Sequence, residues 1–545
     1  MKTWLLVIIA IASAICTLLA FSPVGLGIGA IGAPMFLILI ALHAKNTRSA
    51  VFWTFVFQIP LWLWLHAWIE QVAFIGWFGL ALYMSLWAPL FVYLLRLVQN
   101  QKRISLVLSA PILWVGLECL RGIVIFDGYP WYLAGTGIVD LPMVDVATIG
   151  SVWLASFLVV SIASLLANIM RVRWWTIVIM GVVCADSAIR EYGFYYLIER
   201  TRSYIDVAVI QTNVSQSNKV AWSWERQQID VSKAIDLTYK VALEEDKPDL
   251  IIWPETMLPG SGFEVNATNF EPWREEFLPL WYWAETIRRT SVNLDIPILV
   301  GAQTWLDIKI IEESESLRIK TGSQFNSAVL VRPDGSAQRY DKTFLTPFGE
   351  KIPYLDWFPT AQDWVRETFG AAMLFDLSEG EDSSVFALPA TTMSGDASTL
   401  DLTFATPICF EDTVPSVVRK MVWEDGKRKA DVLINLSNDG WFGDDVGAHW
   451  QHVREAQMRC IENRTPMIRA ANTGISCLIN ARGQVMEKLP VLESGFLRVK
   501  VYKGVQKPLS RYFGDTVAWA SLLGSILLIL VSRKKWSSSN DEIST

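Results

Sequence analysis

Long apolar runs fill the first third of the chain and return once near its end. A helix needs about 20 mostly apolar residues to cross about 30 Å of hydrocarbon, so each run predicts a membrane span. We predict spans near residues 4–22, 26–43, 50–69, 74–97, 104–120, 147–169, 174–189 and 514–532. The first run has the basic start and late small residues of a signal peptide, but the spans that follow at once favour a retained helix. The pattern therefore predicts a bundle of about seven helices over 1–190, a last helix over 512–534 and a polar tail over 535–545.

The pattern changes between residues 203 and 505, where short β-rich segments alternate with mixed polar stretches. The segments IDVAVIQTN, PDLIIWPE, IPILVGAQ, TFATPICFED and DVLINLSND each predict a buried strand that ends at a polar or proline-containing corner. Amphipathic stretches such as QQIDVSKAIDLTYKVALEE predict helices between the strands. Strands alternating with helices are typical of an α/β domain, and about 300 residues are enough for one core.

An internal similarity suggests that this domain has two related halves. The stretches SAVLVRPDGSAQRY at 327–340 and ISCLINARGQVMEK at 475–488 share an apolar run, a turn and a closing glycine. Both predict a β-hairpin. A hairpin late in each half favours two sheets packed face to face with helices outside them. Coincidence between two ordinary hairpins is the alternative.

Composition and charge support a membrane protein and give it an orientation. The chain is 52% hydrophobic and only 19% charged, and its mean hydropathy is +0.31. Lys and Arg in short connections stay on the cytoplasmic side. With a cytoplasmic N-terminus, the inner side collects Lys2, Lys45, Arg48, Lys102, Arg103, Arg171, Arg173, Arg533, Lys534 and Lys535, and the short outer loops contain only Arg121. We therefore expect both termini inside and the 203–505 domain outside, although Arg190, Lys507 and Arg511 argue mildly against this.

The net charge and the cysteines narrow the chemistry further. A net charge of −7 without a basic patch makes nucleic acid an unsuitable partner. Three of the six cysteines, Cys16, Cys119 and Cys184, fall in predicted spans. The other three, Cys409, Cys460 and Cys477, are an odd number in an outer domain, so at least one thiol is free. Whether Cys460 and Cys477 pair stays open.

Reactive side chains gather after the predicted strands, where α/β folds often carry their sites. Glu255 follows LIIWP, Cys409 follows ATPI, and Lys342 and Glu350 stand in YDKTFLTPFGE after the first hairpin. A carboxylate can take the proton of a thiol, and a fixed ammonium can stabilise an oxyanion, so Glu, Lys and Cys together can perform acyl transfer. Each residue alone has a simpler explanation as a surface ion pair or a small core residue.

The joint pattern IIWPET, DKTFLTPFGE, ICFED and LSNDGWFG, in this order, resembles the nitrilase superfamily. That family uses a Glu, Lys, Cys triad on an α-β-β-α sandwich. With seven spans before the domain and one after it, the arrangement resembles the bacterial apolipoprotein N-acyltransferases, and APILWVGLECLRG followed by GYPWYLAG is similar to that family's membrane part. The resemblance covers nearly the whole chain. It implies an α-helical membrane bundle plus an extracytoplasmic nitrilase-like domain.

The resemblance also assigns roles by position. It makes Cys409 the nucleophile, Glu255 the general base and Lys342 the residue that stabilises the oxyanion. It adds two further active-site carboxylates, Glu350 and Glu411. Trp222 corresponds to a tryptophan that the family carries in the loop after the first strand, although Trp224 is the alternative. Two departures stand out: Phe410 replaces the family's usual Tyr after the nucleophile, and GDDVGAHWQH is one residue longer than the usual loop.

The implied reaction moves a fatty acyl group from a phospholipid, through a Cys409 thioester, to the N-terminal amine of a diacylglyceryl-cysteine on a lipoprotein. The expected partners are therefore the phospholipid donor, the lipoprotein acceptor and the bilayer of the bacterial inner membrane, with no cofactor. Both substrates are anchored in lipid, so we expect the aromatic stretches at 270–285 and 354–364 either to meet the membrane interface, with Trp281 and Trp283, or to fill the core.

Other interpretations remain at this point. His449 and His452 could share a helix face and bind a metal, but no third ligand has a suitable spacing, so we expect a structural role and no metal site. A membrane-tethered amidase that passes its acyl group to water would use the same triad. A transporter or scaffold with an outer binding domain is a third interpretation, and the few charges within the spans argue against it.

Overall fold

A computed structural model of the chain separates it into two units. It describes residues 1–100, 104–168, 181, 185–186, 203–215, 222–244, 246–264, 281–313, 316–354, 377–381, 384–392, 401–504 and 506–541. The first unit comprises Met1–Leu197, Asp445–Asn463 and Pro508–Thr545. The second unit comprises Ile198–Asp444 and Arg464–Lys507. The second unit thus takes most of the predicted 203–505 domain, and the stretch 445–463 groups with the first unit instead.

Helices make up the described part of the first unit up to residue 168. Their bounds are Thr3–Ala20 (α1), Ile28–His43 (α2), Thr47–Leu65 (α3), Phe74–Ser85 (α4), Trp87–Gln99 (α5), Leu106–Cys119 (α6) and Ala147–Ala167 (α7). They coincide with the predicted spans from 4–22 to 147–169, and the predicted span at 174–189 lies largely outside the described residues. Leu37 of α2, Phe91 of α5 and Leu113 of α6 are buried together in the core of this bundle.

Four stretches of the described residues are long and apolar enough to cross a membrane. They are Thr3–Ala20, Phe74–Gln99, Leu106–Asp127 and Pro142–Ala167. The helices Ile28–His43 and Thr516–Ser532 are apolar but shorter, and α3 is less apolar because it includes Arg48 and Gln58. A helical region with apolar candidate spans is therefore confirmed, and the count of eight spans stays a prediction.

Arg121 corrects one detail of the charge pattern. It was predicted to be the positive residue of the short outer loops, but it lies in the π-helical turn Leu120–Val124 and is buried. Its guanidinium donates to the carbonyl oxygens of Trp131 (2.7 Å) and Tyr132 (3.3 Å). These backbone acceptors satisfy the charge inside the bundle, because a buried cation is costly unless it is hydrogen-bonded. Arg121 therefore gives no weight to either orientation.

The second unit contains two main β-sheets. Its strands are Ser203–Gln211 (β1), Leu250–Ile252 (β2), Ile298–Leu306 (β3), Lys309–Glu313 (β4), Ser316–Lys320 (β5), Ser323–Val331 (β6), Ala337–Asp341 (β7), Phe386–Leu388 (β8), Thr391–Thr392 (β9), Leu402–Ala405 (β10), Trp423–Glu424 (β11), Lys427–Arg428 (β12), Val432–Ser437 (β13), Met467–Ala471 (β14), Cys477–Ile479 (β15), Val485–Lys488 (β16) and Gly495–Tyr502 (β17). The first sheet has the order β17-β1-β2-β3-β6-β7, and β9 also pairs with β1. The second sheet has the order β16-β15-β14-β13-β10-β8. The five strands predicted from the sequence are all present, as β1, β2, β3, β10 and β13.

The two sheets repeat one plan, which confirms both predicted hairpins. In the first half, β1, β2 and β3 are parallel and the antiparallel hairpin β6-β7 follows at the edge. In the second half, β10, β13 and β14 are parallel and the antiparallel hairpin β15-β16 follows at the edge. The similarity between 327–340 and 475–488 therefore reflects equivalent places in two halves. We call β1–β7 the first half and β8–β16 the second half.

Helices cover the outer face of the first sheet. They are Trp224–Ala242 (α8) and Tyr282–Leu294 (α9), and Pro415–Val422 (α10) follows β10 in the second half. Ala208 and Ile210 of β1 pack in one core cluster with Val231 of α8 and Ile287 of α9. Alternate residues of a strand face opposite sides, and β1 contacts β10 and β14 of the second sheet. Helix, sheet and sheet thus form three successive layers of the predicted sandwich.

Three further helices belong to the first unit. They are Val446–Asn463 (α11), Ser510–Phe513 (α12) and Thr516–Asp541 (α13), the last extending into the predicted polar tail. The carboxylate of Glu455 on α11 accepts from the Tyr132 N–H (3.2 Å) and from Thr136 Oγ1 (3.1 Å). Glu462 accepts from Ser151 Oγ (2.6 Å). Charged residues that would normally face water therefore fasten α11 to the rest of the first unit.

Candidate active site

Glu255 lies just beyond the end of β2, as predicted, and both of its carboxylate oxygens are held. Oε1 accepts from Asn326 Nδ2 at 2.7 Å, and Oε2 accepts from the backbone N–H of Asn438 at 2.7 Å. The side chain is only 5% exposed. A Cβ on Gly301 of β3 would lie 2.5 Å from the Glu255 Cα, so only glycine permits this close approach. The carboxylate is therefore fixed in position by two donors and a closely packed backbone.

Lys342 follows β7 and is paired with Glu350. Its Nζ donates to Glu350 Oε2 at 2.6 Å and to Thr346 Oγ1 at 3.3 Å. Burial lowers the pKa of the Lys342 ammonium, but the negative charges of Glu350 and Glu255 outweigh it and leave the pKa above its ordinary value. The side chain, which is 1% exposed, therefore carries a permanent positive charge at neutral pH.

Glu350 connects the base and the ammonium. In addition to its bond from Lys342, it accepts from Asn326 Nδ2 at 3.2 Å and from the backbone N–H of Thr346 at 2.8 Å. Burial raises the pKa of Glu350, but the charge of Lys342 and these hydrogen bonds outweigh it and hold the pKa below its usual range. Because Asn326 donates to both Glu255 and Glu350, one amide group sets the distance between the two carboxylates.

Cys409 occupies a strained turn beyond β10. Its φ angle is +50°, in the left-handed region that a non-glycine residue seldom adopts. Asn435 of β13 holds the turn, because its Nδ2 donates to the carbonyl oxygens of Pro407 (3.1 Å) and Cys409 (3.2 Å). Strain of this kind persists only where the surrounding structure over-determines it, and it is common at functional sites. The thiol itself is half-buried.

Burial, together with the nearby carboxylates, keeps the Cys409 thiol protonated. Burial raises the pKa of the Cys409 thiol well above its ordinary value, and the carboxylate of Glu255 raises it further, whereas Lys342 lowers it. A thiol of this kind is not a nucleophile until a base takes its proton. Asn326 donates to both Glu255 and Glu350, and Lys342 donates to Glu350, so the structure brings Glu255 and Lys342 together. The charges of both act on the Cys409 thiol.

The carboxylate of Glu411 joins two segments of the site through hydrogen bonds, and we call it the brace. Its Oε2 accepts from the Ile408 N–H at 2.8 Å, and its Oε1 accepts from the N–H groups of Thr343 (2.8 Å) and Phe344 (2.9 Å). The hydroxyl of Tyr340 also donates to it at 2.9 Å. Burial leaves the pKa of Glu411 above its ordinary value, although the charge of Lys342 and the donated hydrogen bonds lower it. One carboxylate thus joins the turn of Cys409 to the segment that carries Lys342.

The aromatic residues named from the sequence have mainly packing contacts. Phe410 is buried and stacks on Phe344 with ring centroids 6.3 Å apart. Trp222 packs against the core of α8 and α9, and its Nε1 donates to Asp230 at 2.9 Å. Trp224 belongs to the same aromatic group, 5.6 Å from the ring of Trp283. The described contacts of both tryptophans are therefore to the core of the first half, and their role in the site stays a prediction.

The other residues singled out from the sequence are the tryptophans of the aromatic stretches and the two histidines. Trp283 is 6% exposed and belongs to the core, whereas Trp281 is half-buried. Residues 265–280 and 355–376 lie outside the described residues, so the rest of both aromatic stretches stays untested. His449 and His452 are buried, and the ring of His452 packs 5.7 Å from Trp131. Within the described residues, no group of three His, Cys, Asp or Glu side chains is placed to hold a metal ion.

Several residues of the site were not predicted. Asn326, Asn435 and Asn438 position Glu255 and the turn of Cys409, and Tyr340 supports Glu411. Buried amides inside the apolar runs QFNSAVLV and VLINLS were the available signal, because a buried polar side chain must find a partner. The N–H of Asn438 gave no signal at all, since every non-proline residue has one.

Comparison with known proteins agrees with this geometry. Residues 206–504 match the carbon-nitrogen hydrolase family. The chain belongs to the carbon-nitrogen hydrolase family. Its N-terminal part, residues 13–165, matches the apolipoprotein N-acyltransferase N-terminal domain. The carbon-nitrogen hydrolase match is therefore preceded by a match to the N-terminal domain of apolipoprotein N-acyltransferases.

Relatives named apolipoprotein N-acyltransferase are similar to this chain over most of their length. The apolipoprotein N-acyltransferase of Vibrio cholerae is 29% identical over 507 residues, which cover 89% of each chain. That of Pasteurella multocida is 27% identical over 545 residues, covering 96% of this chain and 94% of the relative. Among solved structures, an amidase from Nesterenkonia sp. AN1 covers 57% of this chain and 94% of its own, with 15% identity and a TM-score of 0.35.

Proposed function

We propose that this carbon-nitrogen hydrolase is an apolipoprotein N-acyltransferase, which moves a fatty acyl group from a phospholipid to the N-terminal amine of a diacylglyceryl-lipoprotein. The observation that carries the proposal is the similarity of the membrane part and the catalytic domain, in one chain, to enzymes of that name. The cluster of Glu255, Lys342 and Cys409 supplies the base, cation and thiol that acyl transfer needs.

In the proposed first step, Glu255 takes the proton of Cys409 as the sulfur attacks the carbonyl carbon of the lipid ester. The high pKa of the thiol makes this base necessary, because little thiolate exists at neutral pH. Lys342 and backbone N–H groups stabilise the oxyanion that forms. The C–O bond then breaks, the lysophospholipid leaves with the proton from Glu255, and a thioester remains on Cys409.

In the proposed second step, the α-amine of the lipoprotein attacks the thioester. Glu255 accepts a proton from the attacking nitrogen, the C–S bond breaks, and the thiol of Cys409 is restored by that proton. The two substrates react in turn at the same sulfur, which predicts ping-pong kinetics. Glu350 keeps the charge of Lys342 in place through both steps, because their atoms lie 2.6 Å apart.

The deciding experiment follows the acyl group. The purified protein in detergent is incubated with a phospholipid labelled in its acyl chains, and a diacylglyceryl peptide is added afterwards. We expect the label to appear on Cys409 and then to move to the peptide amine. Cys409→Ala should abolish the trapped label, and Cys16→Ser, which changes another half-buried thiol, should leave it unchanged.

The same experiment separates the other functions. Release of the label only as free fatty acid would support a membrane-tethered amidase or hydrolase, since acceptor choice depends on whether amine or water reaches the thioester. A complete lack of trapped label would refute both enzymes and favour a transporter or scaffold.

We also propose that the protein crosses the bacterial inner membrane about eight times, with both termini cytoplasmic and the catalytic domain outside. The support is the excess of Lys and Arg in the connections assigned to the inner side. A green fluorescent protein fused after Thr545 should fluoresce, because it folds in the cytoplasm. A dark fusion together with an active alkaline phosphatase fusion at the same position would reverse the orientation.

A further inference from the structure

A fully buried ionic cluster lies behind the candidate active site. Arg469 of β14 forms an ion pair with Asp412, and both side chains are 0% exposed. The other side of its guanidinium lies 3.5 Å from Asp439, which is also buried. Burying charges is costly, and replacing such a cluster by apolar residues is often neutral or stabilising. Stability alone therefore gives a weak reason for these three residues.

Each acid of the cluster belongs to a segment that carries a reactive group. Asp412 lies in the helical turn Cys409–Thr413, three residues after the nucleophile. Asp439 directly follows Asn438, whose N–H holds the carboxylate of Glu255 at 2.7 Å. Asp439 is itself fixed, because its Oδ1 accepts from Ser437 Oγ at 2.6 Å. One guanidinium therefore joins the segment of the nucleophile to the segment that holds the base.

The register of the second sheet strengthens this connection. Asn435 of β13 and Arg469 of β14 are partners across the parallel pair, so their side chains point to the same face of the sheet. Asn435 holds the carbonyl oxygen of Cys409, and Arg469 holds Asp412 of the same turn. The neighbouring strands β13 and β14 thus hold the strained turn of Cys409 at two points.

We propose that Arg469 is a positioning residue of the reaction, which fixes the Cys409 sulfur relative to the Glu255 carboxylate through Asp412 and Asp439. The part of this inference that concerns turnover rests on the proposed function. The cluster differs from the groups that meet the substrate, because Arg469 is fully buried and its guanidinium pairs with two acids. Its loss should change the rate of the chemical step and leave substrate binding almost unaffected.

The first test compares three proteins. Arg469→Met should lower kcat by about 100-fold with KM changed less than about twofold, because displacing reacting groups by about 1 Å costs that much. Arg428→Met is the matched control, since Arg428 also donates to neighbouring groups such as Thr465 and packs on Trp423. It should keep the parent kcat.

A triple variant keeps the test valid if Arg469→Met folds poorly. Arg469→Met combined with Asp412→Asn and Asp439→Asn removes all three charges, so stability should return. If the cluster only stabilises the fold, kcat returns with stability, and the proposal is overturned. If the cluster positions the reaction, the triple variant melts like the parent and its kcat stays at least about tenfold low.

A second measurement does not depend on lipid substrates. Alkylation of Cys409 by iodoacetamide, followed by mass spectrometry of its peptide over a range of pH, reports the thiolate directly. The charges that act on this thiol are Glu255, Lys342, Asp439 and Glu350, with Arg469 beside Asp439. Asp439 raises the pKa of the thiol, so Asp439→Asn should shift the alkylation midpoint to lower pH. An unchanged midpoint would show that the cluster does not act on Cys409, whatever reaction the enzyme performs.

Discussion

Replacing Glu411 by glutamine tests whether this carboxylate is a brace. Its two oxygens accept from the N–H groups of Ile408, Thr343 and Phe344, all within 2.9 Å. A glutamine must place its NH₂ group where one oxygen was. If that position is Oε2, the NH₂ meets the Ile408 N–H, and if it is Oε1, it meets the N–H groups of Thr343 and Phe344. At least one buried donor is left without an acceptor in either orientation.

The cost of Glu411→Gln can be worked from these contacts. An unsatisfied buried donor costs about 1–3 kcal/mol, and the remaining bonds weaken because the acceptor is no longer charged. We expect the second unit to lose about 3 kcal/mol of unfolding free energy. Since the brace holds the segment of Lys342, kcat should fall by about 10- to 100-fold with little change in KM.

Thermal unfolding followed by tryptophan fluorescence, together with turnover of labelled phospholipid, measures both effects. Glu379→Gln is the matched control, because Glu379 is half-exposed and pairs with Lys351 at the surface. It should change stability by less than about 1 kcal/mol. A Glu411→Gln protein that is as stable as the parent but inactive would refute the brace, and would mean that Glu411 contacts the reacting groups. A stable and fully active variant would refute any role.

Substitutions at Glu255, Gly301 and Trp283 test the base, its close backbone contact and the core of the first half. Glu255→Gln should slow turnover by several powers of ten, yet shift the alkylation midpoint of Cys409 to lower pH, because the Glu255 charge raises the pKa of that thiol; a midpoint at higher pH would contradict the assigned charges. Gly301→Ala should lower kcat by about 100-fold, because its new Cβ would lie 2.5 Å from the Glu255 backbone, and a crystal structure with Glu255 unmoved would refute this. Trp283→Ser should cost about 3–5 kcal/mol of unfolding free energy, as for other buried aromatic residues, whereas the half-buried Trp281 should cost less; equal losses in thermal unfolding would contradict the core position of Trp283.

The helices and strands were predictable where the length of an apolar run was enough to identify the element. Apolar runs indicated the helices of the bundle, and short apolar segments before polar corners indicated the parallel strands. The placement of α11 was not predictable. Carboxylates are mostly exposed in proteins, but its Glu455 and Glu462 are buried and accept hydrogen bonds from Tyr132, Thr136 and Ser151. A hydrophobicity pattern cannot show a buried charge whose partners lie far away in the sequence.

The candidate site was predictable for side chains that end a strand and unpredictable for those that hold them. Glu255, Lys342 and Cys409 follow β2, β7 and β10, so position and residue type together pointed to them. Arg469 lies within a strand as an isolated cation, and its acids come from two other segments. The pairing of β13 with β14 brings these segments together. Local sequence does not determine which distant strands pair.

The division of the chemistry between the two halves has a consequence for synthesis. The first half supplies Glu255 and Lys342, and the second half, made later by the ribosome, supplies Cys409. In the proposed reaction, a chain that stops or misfolds after its first half lacks the Cys409 sulfur that attacks the ester. A chain with only its second half folded lacks Glu255, the base proposed to take the proton of that thiol. Under the proposed mechanism, acyl transfer in the membrane therefore begins only when both halves are assembled.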